Sequence, residues 1–314
     1  MTVAGALLLY VMIALSAGPR LLTSMTSNGH APRLGIAAWL TAIITVLGCS
    51  VVATVLLLIE GAGHWVSPDA LLASCFDRLQ AILLGHSGWA ARMVATAAVT
   101  ILSACLVLTC ARLARALGRM RAHTFAHADA VRLVGKSDGG DVVIIDAAEA
   151  AAYCVTGRPP AIVVTTAALA ALDGTQLAAV VAHERAHLGG RHAYVVAAVR
   201  GLAAALPRVR LLSSAATQIS LLLEMCADDA AAQRHGRQPL LAGLLTLAGA
   251  SAPMHGLAAA SVAVLVRAER LSAPQIGFAQ LWARVTLSGA LAAMAAIPTT
   301  IVALSLSGAL ACFA

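Results

Sequence analysis

Charge is what this sequence has least of: only 11% of its 314 residues are Asp, Glu, Lys or Arg, while 60% are hydrophobic. An ordinary soluble domain is about a quarter charged, so a chain that meets nothing but water is excluded. Cysteine occurs at positions 49, 75, 105, 110, 154, 226 and 312, with no CxxC or other paired spacing, which leaves neither a disulfide framework nor a cysteine metal site. Lysine is almost missing: Lys136 stands alone beside the arginines, and with the abundant alanine this is the bias of a GC-rich bacterial genome. Four long stretches, 2–18, 34–59, 93–111 and 285–314, hold no charged side chain at all. They approach or exceed the about 20 residues that a helix needs to cross a bilayer. The same lack of charge inside the stretches counts against a transporter, whose spans would need polar residues along a path.

The charges that are present sit at the ends of these stretches. A net charge of +7 invites a nucleic-acid partner, but the placement of the arginines points elsewhere. Arg20 and Arg33 flank the short first loop, and Arg112, Arg115, Arg119 and Arg121 follow the third stretch directly. Positive residues beside spans mark the cytoplasmic side. The first loop and the segment 112–284 are therefore expected in the cytoplasm, with both termini and the 60–92 loop outside, in a multi-pass protein of the bacterial inner or plasma membrane. The arginines read as topology and headgroup anchors of a chain whose partner is the lipid bilayer, and no direct nucleic-acid binding is expected. In the first stretch, Leu15-Ser16-Ala17 before Gly18-Pro19 is like a signal-peptide cleavage site. A signal peptide opens with Lys or Arg and this N-terminus does not, so a retained span is the preferred reading.

Residues 112–284 are long enough for a core of their own. The arginine-rich stretch continues the third span as a helix. Strand-like runs follow at 142–146, 151–156 and 161–165, punctuated by Gly139-Gly140 and Gly157-Arg158-Pro159-Pro160, which are turn signals. The pattern then turns helical, over 176–188 with Gly189-Gly190 in C-cap fashion, and over 193–205, 208–232, 239–250 and 256–270, with breaks at Pro207, Gly236 with Pro239, and Pro253.

The first of these helices carries Val180-Val181-Ala182-His183-Glu184-Arg185-Ala186-His187-Leu188. Positions i and i+4 share one helix face, so both imidazoles aim at one spot, and neutral imidazole is a good zinc ligand. Glu184 stands beside the first ligand, where a general base can take a proton from water that the metal activates. A catalytic zinc takes three protein ligands, and acids after His187 are few: Glu224, Asp228, Asp229 and Glu269. Glu224 lies in the apolar run Ile219-Ser220-Leu221-Leu222-Leu223-Glu224-Met225-Cys226-Ala227. A carboxylate buried there without a partner costs several kcal/mol, about what a nearby cation relieves. Glu224 is thus the expected third ligand. Asp228, one turn further on the same face, is the expected acid that accepts the free N–H of a ligand histidine and fixes its ring. Asp229 reads as a solvent-facing acid paired with an arginine. His192, Tyr194, His255 and Arg270 are candidates for stabilising an oxyanion. His123 and His127 repeat the spacing of four without an intervening Glu, and read as juxtamembrane packing.

His183-Glu184-x-x-His187 followed by Glu224-x-x-x-Asp228 is similar to the gluzincin pattern. With the strand-rich stretch 151–164 ahead of it and a zinc domain between the third and fourth spans, the chain resembles the BlaR/MecR family of membrane metallopeptidases, and more distantly HtpX-type and CAAX-prenyl proteases. The resemblance implies one Zn²⁺ per chain held by His183, His187 and Glu224, Glu184 as catalytic base, and signal-regulated proteolysis of a cytoplasmic protein substrate, a DNA-binding repressor in that family. It departs in one respect: those sensors carry a penicillin-binding domain after the fourth span, and the sequence stops at Ala314, so direct acylation by a β-lactam is not expected. The expected fold is a mainly α-helical membrane protein with four transmembrane helices and an inserted α+β, gluzincin-like zinc-metallopeptidase domain with a small β-sheet. Its parts are a membrane region 1–111 with spans at about 2–18, 34–59 and 93–111, the peptidase domain 112–284, and a fourth span 285–314. The alternative is a non-proteolytic membrane receptor or scaffold with a structural zinc site. Glu184 argues against it, because a structural site needs no base and is closed by four protein ligands.

Overall fold

The computed structural model describes residues 3–61, 89–137, 140–157, 159–250, 258–273 and 277–306. The chain begins with α1 (Val3–Ser16) and α2 (Gly18–Thr26), bent by 49° at their junction. Pro19 explains the bend: it lacks an N–H and its ring clashes with the preceding turn, so the helix restarts in a new direction with Pro in its first turn. Next come α3 (Pro32–Gly61) and α4 (Trp89–Val134), whose 46 residues carry the expected span 93–111 on without a break through Arg112, Arg115 and Arg119. Among the described residues two helices contain stretches long and apolar enough to cross a membrane, Pro32–Leu56 and Gly277–Leu304, and the bent α1–α2 pair makes a third if it is one span. This marks a membrane protein with two or three such spans, against the four expected. The last helix, α11 (Gly277–Leu306), starts ahead of the expected 285 because Gln280 and Arg284 are carried inside it. The 62–88 segment and residues 307–314 lie outside the described residues.

A four-stranded sheet follows α4, in the order β1 (Lys136–Ser137), β2 (Val142–Ile145), β4 (Ala161–Thr165), β3 (Ala152–Val155). β2 and β4 are parallel, and β1 and β3 are antiparallel outer strands. Every residue of β4 is buried, which requires cover on both faces. Alternation along a strand supplies it. Val163 and Val155 pack with Ala128 and Val131 of α4, while Ile162 and Val164 pack with Leu177, Val181 and Leu188 of the helix that bears the histidines.

The remaining helices are α5 (Thr166–Ala171), α6 (Gly174–Gly189), α7 (His192–Ala205), α8 (Arg210–His235), α9 (Arg237–Ala250) and α10 (Ala258–Ser272). Strand and helix expectations agree with these bounds to within a few residues; the short β1 and α5 carry too few side chains to leave a periodic signal. The largest core is shared between the N-terminal helices and α8. Leu211, Leu212, Ala215, Ile219, Leu222 and Met225 pack with Leu7, Trp39 and Leu287. Ala38, Ala42 and Ala53 on α3 are almost fully covered, the small residues that let membrane helices approach closely. The Tyr10 hydroxyl reaches both Thr45 Oγ1 (3.1 Å) and the Met294 carbonyl (3.2 Å), joining α1, α3 and α11 by polar contacts.

Candidate metal centre

α6 begins with a capping box: the Asp173 carboxylate accepts from the N–H groups of Thr175 and Gln176, and the Gln176 side chain returns to the Asp173 N–H. This satisfies donors that a helix start leaves open. Leu177, Val181 and Leu188 face the sheet. Against Val180 the neighbouring α9 presents Gly243, where a Cβ would come within 2.9 Å of Val180 Cγ2, so that crossing needs a residue without a side chain. The packing turns His183 and His187 toward α8, with their Nε2 atoms 3.1 Å apart.

α8 brings Glu224 to the same point. Its Oε2 lies 3.5 Å from His183 Nε2 and its Oε1 lies 3.5 Å from His187 Nε2. Ligand atoms about 2.0–2.1 Å from a tetrahedral zinc are separated by about 3.3–3.4 Å, so the observed edges of 3.1 and 3.5 Å fit such an ion. The three residues are the group that could hold a metal ion among the described residues. Charge agrees with geometry. Glu184, Glu224 and Asp228 are three carboxylates against the single guanidinium of Arg267, which leaves −2 with neutral imidazoles, the complement of a dication. Burial alone would depress His183, but Asp228 and Glu224 outweigh it and lift the imidazole to about 9, so the cluster draws in a positive charge. Glu224 is held far below the carboxylate range: burial opposes ionisation, but His183, His187 and Arg267 overcome it.

Asp228 is fully buried. Its Oδ1 is 3.1 Å from His183 Nδ1, off the direction of the ring N–H, and both its oxygens accept from Arg267, at 2.8 and 2.7 Å. Arg267 also places Nη1 3.0 Å from Glu224 Oε2. This residue was not legible in the sequence, although a cation inside Val264-Leu265-Val266-Arg267 poses the same burial problem that singled out Glu224. Asp229 pairs with Arg270, whose Nη1 is 2.8 Å away and whose Nε donates to the Gly29 carbonyl.

Glu184 accepts from the backbone N–H of Cys154 on β3, at 2.9 Å. Burial pushes its carboxyl up, against the pull of His183 and His187. Burial, then Glu184, lifts the Cys154 thiol to about 12. Because Cys154 N–H points to Glu184, the edge of β3 away from β4 faces this cluster.

His192, a candidate oxyanion stabiliser from the sequence, stands instead behind the candidate ligand His187, with the two Nδ1 atoms 2.9 Å apart. Gly190 makes that possible, since a Cβ there would run into the His192 ring. The left-handed turn that the Gly189-Gly190 pair predicts falls one residue later, on Arg191 (φ 52°). Tyr194 is exposed and Arg270 is engaged with Asp229. His255 lies outside the described residues, and the side chains of His123 and His127 are not among those described.

Comparison with known proteins adds one finding. The family model described as Peptidase family M48 matches residues 119–296, more than half of the chain, and spans every residue of the cluster. No curated protein and no solved structure matches the chain.

Proposed function

The chain belongs to peptidase family M48, and on that premise we propose that it is a membrane-embedded, zinc-dependent endopeptidase that cleaves a cytoplasmic protein. The observation that carries this reading is the convergence of His183, His187 and Glu224 within tetrahedral ligand spacing beside an otherwise unassigned carboxylate, Glu184. A zinc ion bound there supplies Lewis-acid polarisation of the scissile carbonyl and makes water more acidic.

The protein's own residues do the rest. Glu184 takes the proton of the attacking water and hands it to the leaving amine nitrogen. The Cys154 N–H fixes the position of that carboxylate, and burial raises its proton affinity toward what a base working near neutrality needs. Asp228 and Arg267 hold the His183 side of the cluster, and His192 contacts the far nitrogen of His187. An extended substrate adds to the outer edge of β3, where main-chain groups of a central strand would otherwise be paired. The arginines of the first loop and of 112–121 support a cytoplasmic position for the peptidase segment 112–284. The sequence resemblance to BlaR/MecR peptidases, finer than the family match, extends the proposal to signal-regulated cleavage of a DNA-binding repressor.

The test compares purified wild type with Glu184→Gln. Bound zinc is quantified in both, each is incubated with cytoplasmic proteins of its own cell, and new termini are mapped by mass spectrometry. Both should hold about one zinc per chain, and only wild type should generate new termini, a transcriptional repressor among the cleaved proteins. Absence of zinc from both would sink the metal centre; zinc in both with no cleavage by either would leave the non-proteolytic receptor.

A further inference from the structure

A second polar region lies on the other side of α8 from Glu224. A cavity of about 600 Å³ is lined by Arg33, Arg237, Arg270 and Arg284, with Asp229 as its carboxylate. Four guanidinium groups facing one acid leave an excess of positive charge. Asp229 is already satisfied by Arg270, and Arg237 donates to the Ala273 carbonyl at 3.0 Å. Arg33 and Arg284 are exposed and have no ion-pair or hydrogen-bond partner among the described residues. They are the two groups available to an incoming anion.

The position of the cavity limits what that anion can be. Arg33 is the second residue of the candidate span Pro32–Leu56, and Arg284 is in the second turn of the candidate span Gly277–Leu304. The cavity therefore sits where two membrane helices begin. On α11 the residues around Arg284 are apolar and open: Phe278 is 76% exposed, Trp282 63% and Val285 56%. Exposed Trp and Phe beside arginine, at the start of a span, are the composition of the membrane–water interface. Arginines between membrane helices at that depth bind lipid phosphate, because the guanidinium fork matches its oxygens.

We infer that this cavity binds the phosphate of an anionic phospholipid headgroup, held chiefly by Arg33 and Arg284. A zwitterionic headgroup is disfavoured, since its ammonium would be brought among four arginines. The inference requires that the chain sit in a membrane; it does not draw on zinc binding or on peptide hydrolysis.

Native mass spectrometry of the full chain in detergent, titrated with dioleoyl-phosphatidylglycerol or dioleoyl-phosphatidylcholine, tests it. Wild type should prefer phosphatidylglycerol by about thirtyfold, from roughly a kcal/mol for each of two arginines. Arg33→Ala/Arg284→Ala should lose the preference, while Arg112→Ala/Arg115→Ala, which removes exposed arginines on α4, should keep it. The thermal unfolding transition of each variant, measured in parallel, reports that it is folded independently of lipid and of metal. Equal binding of the two lipids, or a preference kept by Arg33→Ala/Arg284→Ala, overturns the inference. So does release of the bound lipid by millimolar inorganic phosphate, which would assign the cavity to a soluble phosphate.

Discussion

Arg267 and Arg270 sit three residues apart on α10 and bind neighbouring acids of α8, yet they work in different surroundings. Arg267 is 8% exposed and bridges Glu224 and the fully buried Asp228. Arg270 borders the basic cavity and holds Asp229, whose side chain is 38% exposed, together with the Gly29 carbonyl. What separates the two is the acid: Asp228 has no contact with water, whereas Asp229 still shares its charge with solvent. The difference teaches that position on the helix, rather than residue type, decides whether an arginine locks a fully buried acid beside the candidate metal centre or holds a part-exposed one at the rim of the basic cavity.

Breaking the buried side should have the largest effect. Arg267→Ala takes both arginine hydrogen bonds from the buried Asp228, and should cost about 3–5 kcal/mol, seen as a large fall in the Tm of the metal-free protein. Asp228→Asn keeps the shape and removes the charge that faces His183, so zinc affinity measured by competition with a chelator should drop about 10–100-fold. A drop as large on Asp229→Asn would erase the distinction between the two acids. Arg270→Ala should cost less, about 1–2 kcal/mol, because its partner is part-exposed, with zinc affinity unchanged.

The smallest effect belongs to a third pair. Arg185 on the outward face of α6 grips Asp141 at 2.6 and 2.7 Å, and that hydrogen bond holds the Asp141 carboxyl below its usual range. Asp141→Asn should cost about 0.2–1 kcal/mol near neutral pH. Since the folded-state pKa is depressed, the contribution is fully present above the unfolded value of about 3.9 and is lost as pH falls through the folded value. Stability curves of wild type and Asp141→Asn should therefore converge in acid below about pH 4, and curves that stay parallel would deny the pair its role.

Much of this was legible before folding. His183 and His187 fall on one helix face by spacing alone, and Glu224 stands out because an acid in an apolar run demands a cation. The same logic, extended from acids to bases, would have found Arg267; which acid it meets is a tertiary fact, set by how α10 crosses α8. His192 is harder still. Its contact with His187 depends on a turn in which Gly190 yields room and Arg191 takes the left-handed conformation, and no periodicity encodes that. The 49° bend between α1 and α2 was written in Gly18-Pro19, a dipeptide that also suits a cleavage site.

α8 has one face in the candidate metal centre and the other against Leu7 and Trp39. A peptidase segment cut away at residue 112 would thus leave Leu211, Leu212, Ile219, Leu222 and Met225 without their partners Leu7 and Trp39, at up to about 1.5–3 kcal/mol of lost burial for each. The hydrolase segment and its anchor are in this sense one folding unit, and neither is a cassette that keeps its core without the other.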